Sequence, residues 1–155
     1  MKILAIDPGS RESGYVVWDV KEQRPEKFGH IPNEALVLIC RNYQKDWPVA
    51  IEQIRGYGIV AGDDTFDTCE ASGRFREAHE AHFGKVYLVP RKDIKRHLCG
   101  NTTTNDKYVR MALVDRFGEP GTKKAPGKLY GISGHLWAAL AVAVTCMDTI
   151  RIEER

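Results

Sequence analysis

Short runs of apolar residues separated by turn residues predict five strands. The first run covers residues 2–6, ends in Asp7 and is followed by Pro-Gly. A continuous apolar run of this length between turn residues is typical of a strand buried on both faces. Similar runs predict four more strands, over residues 13–19, 26–31, 49–52 and 86–90. The short connection between the first two strands predicts an antiparallel hairpin.

Apolar residues at helical spacing predict five helices. Four of them are predicted over residues 33–45, 64–82 and 91–98, and from a run of N-cap residues at 102–106 to Phe117. The fifth starts at His135, and its apolar positions follow the i, i+3, i+4 pattern: Leu136, Ala139, Leu140, Ala143, Val144 and Met147. Most of its other positions are also apolar, which predicts a helix buried nearly all round. Residues 118–131, rich in Gly, Pro and Lys, predict a loop.

Two of the predicted strands end in a carboxylate, Asp7 after the first and Glu52 after the fourth. The helix between these strands favours a parallel pair, which would place both acids at the same edge of the sheet. Two like charges there raise a pKa unless a cation neutralises them, and hard divalent cations prefer oxygen ligands. The alternatives are an Asp7 that only caps the Pro-Gly turn and acids that only face solvent.

Composition and charge limit the classes of protein. The 155 residues, 43% of them hydrophobic, predict a single α/β domain over residues 1–155. No apolar stretch approaches the roughly 20 residues of a membrane-spanning helix, and no signal-like segment opens the chain. The four cysteines are scattered without a Cys-x-x-Cys pair, which predicts reduced thiols in a cytoplasmic protein: Cys40, Cys69, Cys99 and Cys146.

Basic residues and three histidines are the remaining candidates for chemistry. The net charge of +2 does not indicate nucleic acid, but basic residues cluster in the second half of the chain: Arg91, Lys92, Lys95, Arg96, Lys107, Arg110, Lys123, Lys124 and Lys128. Such a cluster is either a phosphate-binding surface or a solvated face. His79 and His82 have a spacing that suits a metal but lack a third ligand, which favours solvated helix residues. His135, at the start of the last helix, is either a metal ligand or a surface residue.

Three motifs together resemble one known family. They are Ile-Asp-Pro-Gly-Ser-Arg at positions 6–11 with Ser-Gly-Tyr following, Ile-Glu-Gln-Ile at 51–54, and His-x-x-Ala-Ala-Leu-Ala-Val-Ala from position 135. The chain resembles the RuvC-type Holliday-junction resolvases, most nearly their small phage-borne branch, over most of its length. This resemblance implies a ribonuclease-H-like fold, in which a five-stranded mixed sheet, three antiparallel strands and then two parallel ones, is flanked by helices.

The resemblance also implies an activity and its residues. Asp7, Glu52 and His135 would hold two Mg²⁺ or Mn²⁺ ions that hydrolyse a phosphodiester of a four-way or otherwise branched DNA. Lys107, with Lys95, would stabilise charge on the scissile phosphate, while loop residues would contact the DNA backbone: Lys123 and Lys124. The protein would be a homodimer, since a four-way junction has two equivalent strands to cut, and the helix over 64–82 would build the dimer.

One position departs from the family pattern. Many resolvases of this type carry a second acid one helical turn after the first helix ligand, where this chain has Ala138. We favour three protein ligands, with water or substrate phosphate in the open positions. The alternative is a junction-binding protein with weak or no catalysis. A third reading, an actin-like or sugar-kinase-type ATPase, shares the Asp-x-Gly-Ser opening, but it needs a second Asp-x-Gly loop and a longer chain.

Overall fold

The computed structural model describes residues 1–154, whose helices and strands follow one another in the predicted order. The strands are β1 (Lys2–Asp7), β2 (Glu12–Asp19), β3 (Arg24–Pro32), β4 (Val49–Gln53) and β5 (Val86–Pro90). The helices are α1 (Asn33–Asn42), α2 (Asp63–Glu80), α3 (Arg91–Cys99), α4 (Asp106–Phe117) and α5 (Leu136–Glu153). The five strands and five helices expected from the sequence are confirmed, with small differences at their ends.

The strands form one mixed sheet in the order β3-β2-β1-β4-β5. β2 pairs antiparallel with both β1 and β3, whereas β4 pairs parallel with both β1 and β5. This confirms the predicted fold class, a five-stranded mixed sheet of three antiparallel and then two parallel strands. In the parallel pair of β1 and β4, Ile6 stands opposite Ile51. Asp7, the last residue of β1, and Glu52, the last but one of β4, therefore lie at the carboxyl ends of neighbouring strands, at the same edge of the sheet.

The core has two layers, one on each face of the sheet. Helix α5 packs on β1 and β2, with α3 and α4 beside it, and α1 and α2 cover the opposite face. Trp18 of β2 is wholly buried, its indole N–H donates to Met147 Sδ at 3.3 Å, and its ring meets the edge of Phe117 at 5.1 Å. Truncating a buried tryptophan costs roughly 3–5 kcal/mol, so Trp18 is a main anchor of α5.

The first helix ends earlier than the sequence predicts. Helix α1 stops at Asn42 because Tyr43 adopts an extended backbone, with φ −69° and ψ 144°. The ring of Tyr43 then packs against Trp47 and His79, at centroid distances of 6.1 and 6.0 Å. The contacts of the Tyr43 ring with Trp47 and His79 therefore take the place of the last predicted turn of α1.

The prediction that His79 is a solvated helix residue is wrong. Its side chain is 1% exposed, with Nδ1 3.4 Å from the carbonyl oxygen of Cys40 and Nε2 3.1 Å from that of Trp47. A Cβ atom at Gly84 would lie 2.3 Å from His79 Nε2, so the glycine admits the ring. The imidazole is buried because main-chain carbonyls near the end of α1 and in the turn before β4 provide hydrogen-bonding partners. His82 is exposed, as predicted.

Two further expectations concern the thiols and the membrane. All four cysteines are free, and two of them, Cys40 and Cys146, are buried. Within residues 1–154, none of the helices combines the length and apolar character needed to cross a membrane.

Candidate active site

Asp7 and Glu52 form an acidic pair that the protein only partly compensates. Their side chains are 20% and 7% exposed, respectively. Burial raises the pKa of Asp7 to about 6, while Arg91 lowers it and Asp106 raises it. Burial, and then the charge of Asp7, raises the pKa of Glu52 to about 7, against a lowering by Arg91. The ionised pair is therefore destabilised where it stands, as expected for carboxylates that receive a cation.

A buried network fixes the turn that presents Asp7. The main-chain N–H of Gly9 donates to Ser13 Oγ at 3.0 Å, and the Ser13 hydroxyl donates to Asn33 Oδ1 at 2.6 Å. The Asn33 amide in turn donates to the Gly9 carbonyl at 2.9 Å. A Cβ atom at Gly9 would lie 2.1 Å from the Glu12 carbonyl oxygen, so the close approach of the two strands requires glycine. The turn is thus held to both β2 and α1.

His135 stands on the other side of Asp7, immediately before α5. Its Nδ1 lies 3.9 Å from Asp7 Oδ2, and its side chain is 77% exposed. The imidazole stacks on His30 of β3 with ring centroids 5.3 Å apart, and His30 Nδ1 lies 3.2 Å from Glu12 Oε2. The last helix therefore brings a nitrogen donor to the end of the first strand, as the sequence predicts. His30 was not predicted to be near the site.

An open cavity of about 760 Å³ gives access to Asp7 and His135. Its wall includes arginines from three different parts of the chain: Arg11, Arg91 and Arg110. The guanidinium of Arg110 lies over the ring of Trp137, 4.8 Å from its centroid, and Ala138 forms the neighbouring wall. An acidic floor with a basic rim suits a phosphodiester, because the rim attracts the phosphate and the floor requires a cation.

Sequence reasoning missed an ion pair at this cavity. Arg91, the first residue of α3, donates from Nη2 to both carboxylate oxygens of Asp106, the first residue of α4, at 2.8 and 2.7 Å. Its Nη1 lies 3.7 Å from Glu52 Oε1, too long for a hydrogen bond. In the sequence Arg91 belongs to the basic cluster and Asp106 to a run of N-cap residues, so no local signal joins them. Asn105 is the residue that caps α4, accepting from the Tyr108 N–H at 3.4 Å.

The structure places the four predicted phosphate-binding lysines outside the cavity wall. Among the described residues that line the cavity, none is a lysine. Lys95 is close enough for its charge to lower the pKa of Glu52, and Lys107 is exposed on the first turn of α4. Lys123 and Lys124 lie at the tip of a turn in which Thr122 and Ala125 exchange main-chain hydrogen bonds of 3.1 Å. This part of the predicted loop is thus an ordered turn.

The donor set at the cavity suits a hard divalent cation in its chemistry. Asp7 lines the cavity, whereas Glu52, on the neighbouring strand, does not, and both supply anionic oxygens. Glu52 is a buried carboxylate whose only ion-pair partner within residues 1–154 is Arg91. Across those same residues, however, no three His, Cys, Asp or Glu side chains are grouped closely enough to hold a metal as they stand. Side-chain rotation of Asp7, Glu52 or His135 is therefore needed to close a coordination shell.

The chain was compared with known families and structures. No protein-family model matches it, and no curated protein matches it. Among solved structures it is similar to Thermus thermophilus RuvC, with a TM-score of 0.73 and 20% identity over 99% of this chain and 97% of that one. It is also similar to T. thermophilus RuvC in complex with a Holliday junction substrate, with a TM-score of 0.66 and 21% identity over 98% and 96% of the two chains. The chain therefore has the fold of RuvC.

Proposed function

We propose that this protein is a metal-dependent endonuclease that cuts branched DNA, with four-way junctions as its preferred substrate. The observation that carries the proposal is the placement of Asp7 and Glu52. They end neighbouring parallel strands, both with a raised pKa, and His135 lies 3.9 Å from Asp7. The same fold occurs in a RuvC structure that holds a Holliday junction substrate, which supports branched DNA as the substrate class.

The chain's own residues have separable tasks in the proposed reaction. Asp7, Glu52 and His135 would hold two Mg²⁺ or Mn²⁺ ions, whose chemistry is the activation of water and the stabilisation of the leaving 3′ oxygen in an in-line displacement. Arg11 and Arg110, on the cavity rim, would bind the phosphates on either side of the scissile bond. The side chain of His135 is 77% exposed, so the imidazole has room to rotate.

Two lysines would act on the scissile phosphate. Lys107 lies at the N-terminus of α4, where main-chain N–H groups favour an anion, and its side chain is exposed. The charge of Lys95 lowers the pKa of Glu52, so its ammonium is close enough to interact electrostatically with the acidic pair. Charge that develops on the phosphate in the transition state is stabilised best by cations already in position.

A homodimer would present two such sites to one junction. Helix α2 buries only one face against α1 and the sheet, through Ala71, Phe75, Ala78 and His79. On its outer surface Phe66 is 63% exposed, and the preceding loop exposes Ile59 and Val60 to 76% and 95%. A two-fold contact through this surface would cover these apolar residues. Light scattering of the wild type and of a Phe66→Asp variant tests it, with loss of the dimer expected in the variant.

The motif resemblance supports two narrower inferences. We infer that the protein belongs to the small phage-borne branch of the resolvases and acts in the cytoplasm of a bacterial host. The phage-borne branch is supported by the three motifs at positions 6–15, 51–54 and 135–143. The cytoplasm is supported by the four free, scattered cysteines, and a bacterial host would follow if the protein is phage-encoded.

Incubation of labelled DNA with Mg²⁺ or Mn²⁺ tests the activity. Four-way, Y-shaped and linear duplex substrates of the same sequence are compared, with Glu52→Gln as the inactive control. We expect paired, symmetric nicks in the four-way junction, none in the linear duplex, and none from Glu52→Gln. Equal cutting of the linear duplex would rule out structure selectivity, and equal cutting by Glu52→Gln would rule out this site.

Ala138 favours a second candidate, a protein that binds junctions without cutting them. Position 138 lines the cavity but provides no oxygen ligand. Such a protein would bind the four-way junction equally well in Mg²⁺ and in EDTA, and would leave every substrate intact. The same incubation, followed by a gel-shift measurement with and without metal, separates the two candidates.

A further inference from the structure

The cavity that Ala138 lines also contains a carboxylate that no motif predicted. Both Ala138 of α5 and Asp106 of α4 line the cavity, together with Asp7 and His135. Position 138 lies in the first turn of α5, three residues after His135, and its side chain lines the cavity but ends at a methyl group. Asp106 lies in the first turn of α4 and is exposed. The oxygen donor that α5 lacks is thus present on the neighbouring helix.

Arg91 ties this carboxylate to the buried acid of the site. One guanidinium contacts both oxygens of Asp106 at 2.7–2.8 Å and lies 3.7 Å from Glu52 Oε1. Asp106 and Glu52 therefore share one guanidinium. The distance between their carboxylates is at most the width of this guanidinium plus the two contact distances. Arg91 and Asp106 are 50% and 73% exposed, so their ion pair contributes little to stability and exchanges readily.

Arg91 compensates the charge of Glu52 only in part. The Glu52 side chain is nine-tenths buried, and the 3.7 Å approach of Arg91 is too long for a hydrogen bond. A buried carboxylate in this state is costly unless a closer cation reaches it. Asp7 and Asp106 line the same cavity, and Arg91 links Asp106 to Glu52, which lies outside the cavity wall.

We propose that Asp106 supplies the carboxylate ligand that α5 lacks at position 138, with Arg91 holding it at the cavity until a divalent cation takes its place. This inference rests on the proposed function, because it extends the metal site formed by Asp7, Glu52 and His135. Hard divalent cations take six or more ligands, mostly oxygen, and a fourth protein side chain reduces the number that water must supply. Exchange of Arg91 for the cation frees the guanidinium to bind a phosphate of the DNA.

Direct Mn²⁺ binding in the absence of DNA tests the proposal. Free Mn²⁺ is followed by electron paramagnetic resonance at pH 8 for the wild type, Asp106→Asn, Arg91→Met and the control Asp115→Asn. Asp115 is an exposed aspartate on the same helix. We expect Asp106→Asn to weaken binding roughly tenfold or more, the effect of losing a ligand or its support. Asp115→Asn should bind like the wild type, and Arg91→Met as tightly or more tightly.

A rescue separates ligation from a purely structural role. Ala138→Asp, added to Asp106→Asn, should restore the Mn²⁺ affinity if the two positions serve the same cation. Thermal unfolding shows that each variant is folded. Wild-type affinity in Asp106→Asn, equal losses in Asp106→Asn and Arg91→Met, or no recovery with Ala138→Asp would each overturn the proposal. None of these readouts depends on cleavage, so a wild type that binds Mn²⁺ without cutting junctions refutes the proposed function and not this inference.

Discussion

The hydroxyl of Ser13 donates a 2.6 Å hydrogen bond to Oδ1 of Asn33, and both side chains are buried. The first residue of α1 is thereby joined to β2, and through Gly9 to the turn that follows Asp7. Each polar group in the network has a partner inside the protein, so the loss of one leaves others unsatisfied. The network holds Asp7 in place without touching its carboxylate.

Asn33→Ala should therefore destabilise the protein and slow junction cleavage together. Loss of the amide leaves the Ser13 O–H without an acceptor and the Gly9 carbonyl without a donor, which costs roughly 1–3 kcal/mol. Urea unfolding measures the stability, and single-turnover cleavage measures the rate. Asn42→Ala is the matched control, because Asn42 is an exposed asparagine on the same helix whose side chain donates only to the Leu38 carbonyl. A loss no greater than that of the control would show that the network is unimportant.

The metal-free protein should lose stability as the pH rises from about 4 to about 8. The pKa of Asp7 is raised to about 6 and that of Glu52 to about 7, so the folded chain binds these protons more tightly than the unfolded chain does. The stabilisation is complete below the unfolded values near 4 and is lost as the pH passes 6 and 7. One pKa unit corresponds to about 1.4 kcal/mol, which gives a total of a few kcal/mol.

Glu52→Gln should remove a large part of this pH dependence. In EDTA at pH 8 the variant should be more stable than the wild type by roughly 1–3 kcal/mol, because a buried charge and its repulsion of Asp7 are gone. Urea unfolding at pH 5, 6, 7 and 8 provides the comparison. Glu77→Gln, at an exposed position of α2, should retain the wild-type profile. A Glu52→Gln variant less stable than the wild type at pH 8 would contradict the assigned shift.

Neutralising either acid should abolish cleavage while leaving junction binding largely intact. Asp7→Asn and Glu52→Gln keep the shape of the side chain but remove the charge that attracts a cation. Gel shifts in EDTA measure binding, and cleavage in Mg²⁺ and Mn²⁺ measures activity. Near wild-type cutting by either variant would remove that residue from the site.

Lys107→Ala should lower the cleavage rate more than the affinity for the junction. A contact that strengthens in the transition state affects the chemical step, whereas an ordinary backbone contact affects binding. Single-turnover rates and dissociation constants are measured for Lys107→Ala and for Lys123→Ala, which lies at the tip of the ordered turn. We expect Lys123→Ala to weaken binding alone. The same behaviour in Lys107→Ala would reduce it to a backbone contact.

Cleavage should be markedly faster in Mn²⁺ than in Mg²⁺. Mg²⁺ prefers oxygen ligands in an octahedron, whereas Mn²⁺ accepts an imidazole nitrogen such as that of His135 more readily. His135→Asp should shift the preference back toward Mg²⁺, and His82→Asp, at an exposed histidine of the segment after α2, should not. Cleavage rates are measured at saturating junction over a series of Mn²⁺ and Mg²⁺ concentrations. Equal rates in the two metals, unchanged by His135→Asp, would show that His135 is not a ligand.

The sheet and the acidic pair were predictable because both depend on local pattern. An apolar run that ends in an acid predicts a buried strand with a carboxylate at its tip, and an intervening helix predicts a parallel neighbour. These two rules place Asp7 and Glu52 together, and the register of Ile6 with Ile51 confirms that placement. Position alone left His135 open between a metal ligand and a surface residue, and only the family resemblance placed it with Asp7; its Nδ1 lies 3.9 Å from Asp7 Oδ2.

The contacts that sequence reasoning missed depend on how separate helices pack. Arg91 and Asp106 begin α3 and α4, and only the angle between these helices brings their side chains together. His79 looked like a solvated residue because nothing in its neighbourhood shows that the chain after α1 returns over it, offering the Trp47 carbonyl. In both cases the partner lies 15 or more residues away, beyond the range of a periodic pattern.

The candidate site draws on both ends of the chain, with Asp7 in the first strand and His135 before the last helix. During synthesis the sheet strands leave the ribosome well before α5, which supplies much of one core layer. A nascent or truncated chain that ends before His135 therefore lacks the histidine and leaves one face of β1 and β2 uncovered. Such a fragment cannot bring Asp7 and His135 together, so the candidate site is completed only when the last helix has been made.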